Sequence, residues 1–306
     1  MDRAVTGALL PQASVHADEK IEHLVWPYLL ALPVMYGIAG YVWTKKSVLS
    51  LFKEEAKTNS LWFDGLSESG RKIKEGAARW PALDVIYNFA GGQGRSALAR
   101  WVDAFWLNMR NAQAVRNRLR LVNHLLRQAV LEREKKCVKI LSLASGTAQG
   151  IIELVAWCKL RGVRVEVLLI DKDPTALANA KGLAERHGVS DCLTTTEGDV
   201  FRLKRLAHGF NPDIIEMLGF TDYLKDKFAL GLFREIHKKL SVGGLFYTCH
   251  IHPNAEARFL RQVVNWGMLY RSREELENLM CDGGFIEPQL HTEPHGIHSI
   301  AVGEKI

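Results

Sequence analysis

From residue 137 onwards, short runs of β-branched and aliphatic residues alternate with amphipathic stretches of roughly 10 to 15 residues, and this alternation restricts the fold more than any other feature. Strands that can reach one another only through an intervening helix line up in the same direction, so the pattern predicts an α/β fold with a mainly parallel sheet. The strands read as Val138 to Leu143, Val163 to Ile170, Leu193 to Glu197, Ile214 to Leu218, Leu245 to His250, Phe285 to His291 and Ile297 to Val302. Two helices carry their boundaries in the sequence. In "DPTALANAKGLAERHG", Asp173 caps the free amides, Pro174 takes the first helical position and Gly188 ends the helix. In "SREELENLMCDGG", Ser272 and Glu275 stand at the spacing of a capping box.

Residues 1–136 read differently, as an all-helical region preceding a second region at 137–306. Apolar residues recur at three- and four-residue spacing in "SVLSLFKEEAKTNSLWFDGL" and again from Ala97 to Lys136, with "FAGGQG" breaking the two blocks. Between Arg95 and Lys139, eight arginines and three lysines face only Asp103, Glu132 and Glu134. That stretch offers either a solvated helix face or a meeting place for an anionic partner. Residues 24 to 43, "LVWPYLLALPVMYGIAGYVW", are twenty positions without a charge, about the length of a bilayer span. Pro27 and Pro33 argue against a span, because each removes a hydrogen bond that lipid cannot replace. The expectation is two shorter helices packed on protein as a cover for substrate. Trp26, Tyr28, Tyr41 and Trp43, with Lys45 and Lys46 beyond them, leave peripheral membrane contact through residues 24–43 as a further expectation. Five separated cysteines without a Cys-x-x-Cys pair, and an N-terminus unlike a secretory leader, place the expected location in the cytoplasm, with membrane association as the second reading.

The stretch "ILSLASGTAQG", residues 140 to 150, ends a strand in small residues and opens an apolar helix. No Lys-Ser or Lys-Thr follows, which excludes a P-loop, and Ala144 and Ala148 stand where a dinucleotide fingerprint needs glycine. A pyrophosphate demands closer backbone approach than these alanines grant, so the loop suits a nucleoside without phosphates. Asp171, at the end of the second strand, is placed to take both ribose hydroxyls, and Asp199, after the third, to accept from an exocyclic amine.

These segments resemble the class I S-adenosylmethionine-dependent methyltransferases over about residues 137–306. "VKILSLASGTAQG", "VEVLLIDKDPTAL", "TTTEGDVF" and "FNPDIIEMLGFTDYL" are similar to the family's successive motifs, and "LFREIHKKLSVGGLFYTC" to its helix, Gly-Gly turn and fifth strand. The resemblance implies a Rossmann-like, seven-stranded, mostly parallel sheet with an antiparallel last strand. It also implies S-adenosylmethionine as cofactor, with Ala144, Ser145, Gly146 and Thr147 beneath the methionine portion, Asp171 and Lys172 at the ribose, Asp199 and Val200 at the adenine, and Glu216 and Met217 nearby. Ser142 departs from the acidic residue often found there.

Methyl transfer from a sulfonium asks the protein for alignment, plus a base if the acceptor carries a proton. Candidate bases at the ends of the fourth and fifth strands are Glu216, Tyr223, His250 and His252. His250 and His252 share a strand face, but no matching third ligand points to a metal. The apolar N-terminal segment favours a small-molecule or lipid acceptor over nucleic acid. The alternatives are a catalytically weak cofactor-binding scaffold and an aminopropyl-type transferase on the same fold, and oligomeric state is left open.

Overall fold

The computed structural model describes residues 21–22, 26–52, 61–90, 96–133 and 135–306, apart from the side chains of residues 26–28 and 61–62. Its N-terminal helices are α1 (Trp26–Leu51), α2 (Glu68–Glu75), α3 (Trp80–Tyr87), α4 (Ala97–Leu107) and α5 (Arg110–Glu132). The chain then winds through β1 (Val138–Leu143), α6 (Gln149–Leu160), β2 (Val165–Asp171), α7 (Pro174–Arg186), β3 (Leu193–Glu197), the single turn α8 (Leu203–Leu206) and β4 (Ile214–Met217). It continues through α9 (Asp226–Lys239), β5 (Leu245–Ile251), the short α10 (Ala257–Phe259), α11 (Arg273–Asp282), β6 (Gln289–Thr292) and β7 (His298–Glu304).

These strands form one seven-stranded sheet in the order β3-β2-β1-β4-β5-β7-β6. Strands β1 to β5 are parallel, and β7 runs antiparallel to both β5 and β6. Chain order reverses between β1 and β4, and the crevice at the carboxyl ends beside that switch is where such sheets receive ligands. Period-two alternation sends Ile140 to one face, among Val122, Leu126, Ile152 and Leu169, and its neighbour Leu141 to the other, among Ile215, Phe233 and Phe246. A third core lies at the carboxyl edge, where Met35, Phe63, Ile86 and Trp106 of the N-terminal region join Ile251, Phe259 and Ile297. Burial of apolar area at about 25 cal/mol per Å² is what fastens the helices over the sheet's ligand-binding edge.

Local signals for α7 and α11 hold as read. The Asp173 carboxylate accepts from Thr175 N, Gly188 takes the left-handed conformation after α7, and the Ser272–Glu275 capping box is reciprocal. Four expectations need correction. Residues 26–51 form one helix and not two shorter ones. Pro27 falls in the first turn, where its missing N–H needs no partner, and Pro33 is tolerated in a helix whose Ala31, Met35, Ala39 and Val42 form a buried seam against protein. No helix among the described residues is long and apolar enough to cross a membrane. The middle of the arginine-rich stretch is not a solvated face: Arg116, Arg118 and Arg120 are buried, and Arg116 and Arg120 grip the Glu22 carboxylate at 2.5 and 2.7 Å. The second strand starts at Val165, because Gly162 N and Val163 N close the turn back onto Lys159 O and Cys158 O. The sixth starts only at Gln289, because Phe285 is fully buried against Phe246 and Glu287 turns the chain with φ 47° ahead of Pro288.

Candidate functional site

A cavity of about 540 Å³ runs from the strand ends of β1–β3 to the underside of the N-terminal helices. One end is polar and built on backbone, the other apolar and built on side chains.

At the polar end, the β1–α6 loop turns sharply at Ala144 (φ 48°), Gly146 (φ 53°) and Ala148 (φ 50°). Left-handed backbone costs an alanine roughly 1 kcal/mol or more, so the loop keeps a glycine conformation without two of the glycines. Tertiary contacts hold it: Ser145 N donates to Ile170 O at 3.2 Å, and Gly146 N to Asp171 Oδ2 at 2.8 Å. Asp171 also accepts from Asp173 N through Oδ1 at 2.8 Å, so both its oxygens are oriented while each keeps a lone pair for a ligand. Asp199 caps the turn after β3 by accepting from Phe201 N at 3.0 Å. Phe201 forms an aromatic rim with Phe220 and Phe228 at centroid distances of 6.5 and 6.3 Å. The helical region reaches this end too, for Trp80 Nε1 donates to Thr175 Oγ1 at 3.0 Å and the Trp80 side chain lies over Gly146.

Of the residues expected at the cofactor, Ala144, Gly146, Asp171, Lys172, Asp199 and Val200 line the cavity. Ser145, Thr147, Glu216 and Met217 do not reach its wall. Met217 is fully buried within the core, and Ser145 Oγ is buried without a partner. Glu216 lies opposite Ser142 in the β1–β4 register and accepts from Ser142 Oγ at 2.6 Å. Burial pushes its carboxyl up to about 7, with the Ser142 hydroxyl and the Arg118 charge pulling the other way. A carboxyl group thus lies one strand over from Ser142, off the cavity wall.

At the apolar end, Phe63, Trp106 and Phe259 pack edge-to-face and stacked at 5.1 to 5.7 Å, and Met35, Ile73 and Ile86 extend the wall. Tyr223 faces this chamber, accepts from Trp266 Nε1 at 2.6 Å, and is held protonated by burial and by the charge of Asp222. His250 and His252 stand behind the wall. The His250 Nδ1 is 2.9 Å from Asp222 Oδ1, and both ring nitrogens of His252 are committed, to Arg271 O and Ser299 Oγ at 2.7 Å each. Their burial follows from where β5 ends, between β4 and β7.

Two residues that sequence reasoning did not place at the site face the cavity. His298, the first residue of β7, is 2% exposed and neither ring nitrogen has a partner; burial, then the neighbouring Arg118 charge, holds it well below the ordinary imidazole value. Arg118, on α5, is 3% exposed, and Tyr87 Oη accepts from its Nη2 at 2.9 Å. Burial opposes its charge, but Tyr87, Cys249 and Asp222 outweigh that and keep it firmly protonated. The arginine-rich register of α5 signalled that something there was charged, though not which residue faced inward.

The chain matches, over residues 41–305, the family described as "Putative methyltransferase". It is 25% identical over 237 residues to the uncharacterized protein YnbC of Escherichia coli (strain K12), covering 72% of this chain and 39% of that protein, so the chain spans about two fifths of that relative's length. Among solved structures, its fold is similar to that of a possible exported protein from Bordetella parapertussis, with 16% identity, a TM-score of 0.66, and coverage of 89% of this chain and 96% of that one. An O-methyltransferase family protein from Burkholderia thailandensis is similar at 15% identity and a TM-score of 0.50, over 78% of this chain and 70% of that one.

Proposed function

The chain belongs to this methyltransferase family, and from that premise we propose that it is of the class I S-adenosylmethionine-dependent type and transfers a methyl group from S-adenosylmethionine to an apolar small-molecule or lipid acceptor held under the N-terminal helices. The observation that carries the reading is the single cavity joining the Asp171 and Asp199 strand ends to the apolar chamber. S-adenosylmethionine supplies a methyl group already activated on a sulfonium. The residues present fit that group. Asp171 offers two oriented oxygens for ribose hydroxyls, Asp199 and Val200 face the position for adenine, and the left-handed loop at Ala144 and Gly146 lines the wall where the amino-acid portion would lie.

The chain's remaining work is alignment and exclusion of water. Met35, Phe63, Trp106 and Phe259 desolvate the acceptor and turn it towards Gly219 at the end of β4. Where the acceptor carries a proton, neutral His298, with its free ring nitrogens, is the group placed to take it. A polyamine substrate finds little here, because Asp222 is tied to Ile251 N and His250, and Glu256 to Arg110 N and Asn111. The outer side of α1 exposes Leu29, Leu30, Val34 and Tyr41, and this is the face we assign to peripheral contact with a lipid surface.

The test is transfer of labelled methyl from the cofactor to fractions of a whole-cell extract. Label is expected in the fraction soluble in organic solvent, and to fall about 100-fold with His298→Gln if the acceptor is protic. A chain that binds S-adenosylhomocysteine yet labels no fraction would overturn the assignment as an enzyme.

A further inference from the structure

The walls of the acceptor chamber are almost wholly apolar, yet a guanidinium is built into its inner end. Arg118 has five N–H donors, and the Tyr87 hydroxyl accepts from only one of its nitrogens. Its Nε is buried with no partner, and no carboxylate of the described residues stands within ion-pair distance of it. A β-carbon placed on Gly219 would be 3.6 Å from Arg118 Nη1, so the fork opens beside the loop that follows β4, where chamber and cofactor end meet. Nine-tenths burial of a charged group whose donors remain open is costly, and such groups persist where a ligand completes them.

Resting on the methyl-transfer reading, we propose that Arg118 is an anion anchor and that the acceptor is an apolar carboxylic acid, its carboxylate seated on the guanidinium and its hydrocarbon or aromatic body against Phe63, Trp106 and Phe259. The charge count favours a carboxylate over a phosphate. The other cations on the cavity wall among the described residues, Arg79 and Lys172, sit at the polar end with Asp171 and Asp173, leaving one fixed positive charge in the chamber, with Asp222 near it and Glu256 tied to Arg110 N and Asn111. A singly charged, planar group with two acceptor oxygens matches a single guanidinium fork. His298 beside Arg118 is kept neutral by burial and by that charge, so it does not add a second cation.

The experiment is calorimetric titration of the full-length chain, saturated with S-adenosylhomocysteine, with decanoate and with decan-1-ol as probes. Decanoate is expected to bind at least about tenfold more tightly than the alcohol, the return of one charge-assisted hydrogen-bonded pair. Arg118→Met should remove that preference while decan-1-ol affinity stays the same. Equal affinities for the two probes on the unaltered chain, or a preference that survives Arg118→Met, would overturn the proposal. A guanidinium serving the cofactor instead gives a different pattern: Arg118→Met then weakens S-adenosylhomocysteine but not 5′-methylthioadenosine, which lacks the amino-acid portion, and that result also overturns the anchor. Should Arg118→Met fail to fold, Arg118→Lys keeps the charge but loses the fork, and an undiminished preference for decanoate in that variant contradicts the proposal. The titration also runs on the unloaded chain, so failure to bind S-adenosylhomocysteine sinks the methyl-transfer reading without deciding the anchor.

Discussion

The two ends of the cavity are made in opposite ways. The polar end is a property of the backbone: three strands stop at one edge, a left-handed loop follows the first, and short-range capping bonds aim the aspartates that follow the second and third. The apolar end is a property of packing between distant segments, with Met35, Phe63 and Trp106 meeting Phe259 and Trp266 from beyond β5. A loop pinned by its backbone amides to the end of the adjacent strand tolerates little variation in geometry, and the φ angles of Ala144 and Ala148 record that constraint. A chamber assembled from side chains is free to change its contents. The cofactor end therefore identifies a reaction class, while the acceptor end holds the specificity.

If the ends are independent, damage to one should leave the other working. The largest effect is expected from Phe259→Ala, which removes the centre of the aromatic cluster at the cost of about 3 kcal/mol of stability by denaturant titration. Affinity for S-adenosylhomocysteine should stay within about twofold under conditions where the variant is folded. A parallel loss of cofactor affinity would break the comparison.

Glu216, buried on β4 off the cavity wall, offers a second probe. Its carboxyl titrates near 7 in the folded chain against an ordinary value of 4.5, so the native state holds the proton more tightly than the unfolded state. The stability contribution is thus fully present at pH below 4.5 and is lost as pH rises towards 7, by about 3 kcal/mol. Glu216→Gln should erase that slope, so melting curves of variant and parent diverge with increasing pH. Parallel curves would mean that the carboxylate is not where burial penalises it. A smaller effect is expected from Ala144→Gly, which relieves left-handed strain and should stabilise by about 1 kcal/mol or less, read by thermal melting in the absence of ligand.

The same contrast explains what the sequence made legible. Strand β1 was read to the residue because it is an apolar run buried on both faces, and the half-exposed edge strand β3 because clear turns flank it, while the caps of α7 and α11 rest on residues two or three apart. Asp171 and Asp199 could be found because strand ends are local signals. His298 and Arg118 could not, since their exposure to the cavity depends on β7 pairing with β5 and on which face of α5 the sheet covers, neither of which short-range spacing records. His250 and His252 misled for the same reason: they lie at the expected strand end, but β4 and β7 close around them.

The most direct test of the central claim is calorimetric titration of the full-length chain with S-adenosylhomocysteine, set beside Asp171→Ala. Binding at the parent chain, weakened about tenfold to 100-fold in the variant by loss of a carboxylate that accepts two hydroxyls, is the predicted result. No heat of binding to the parent chain, or equal affinity in Asp171→Ala, would contradict it.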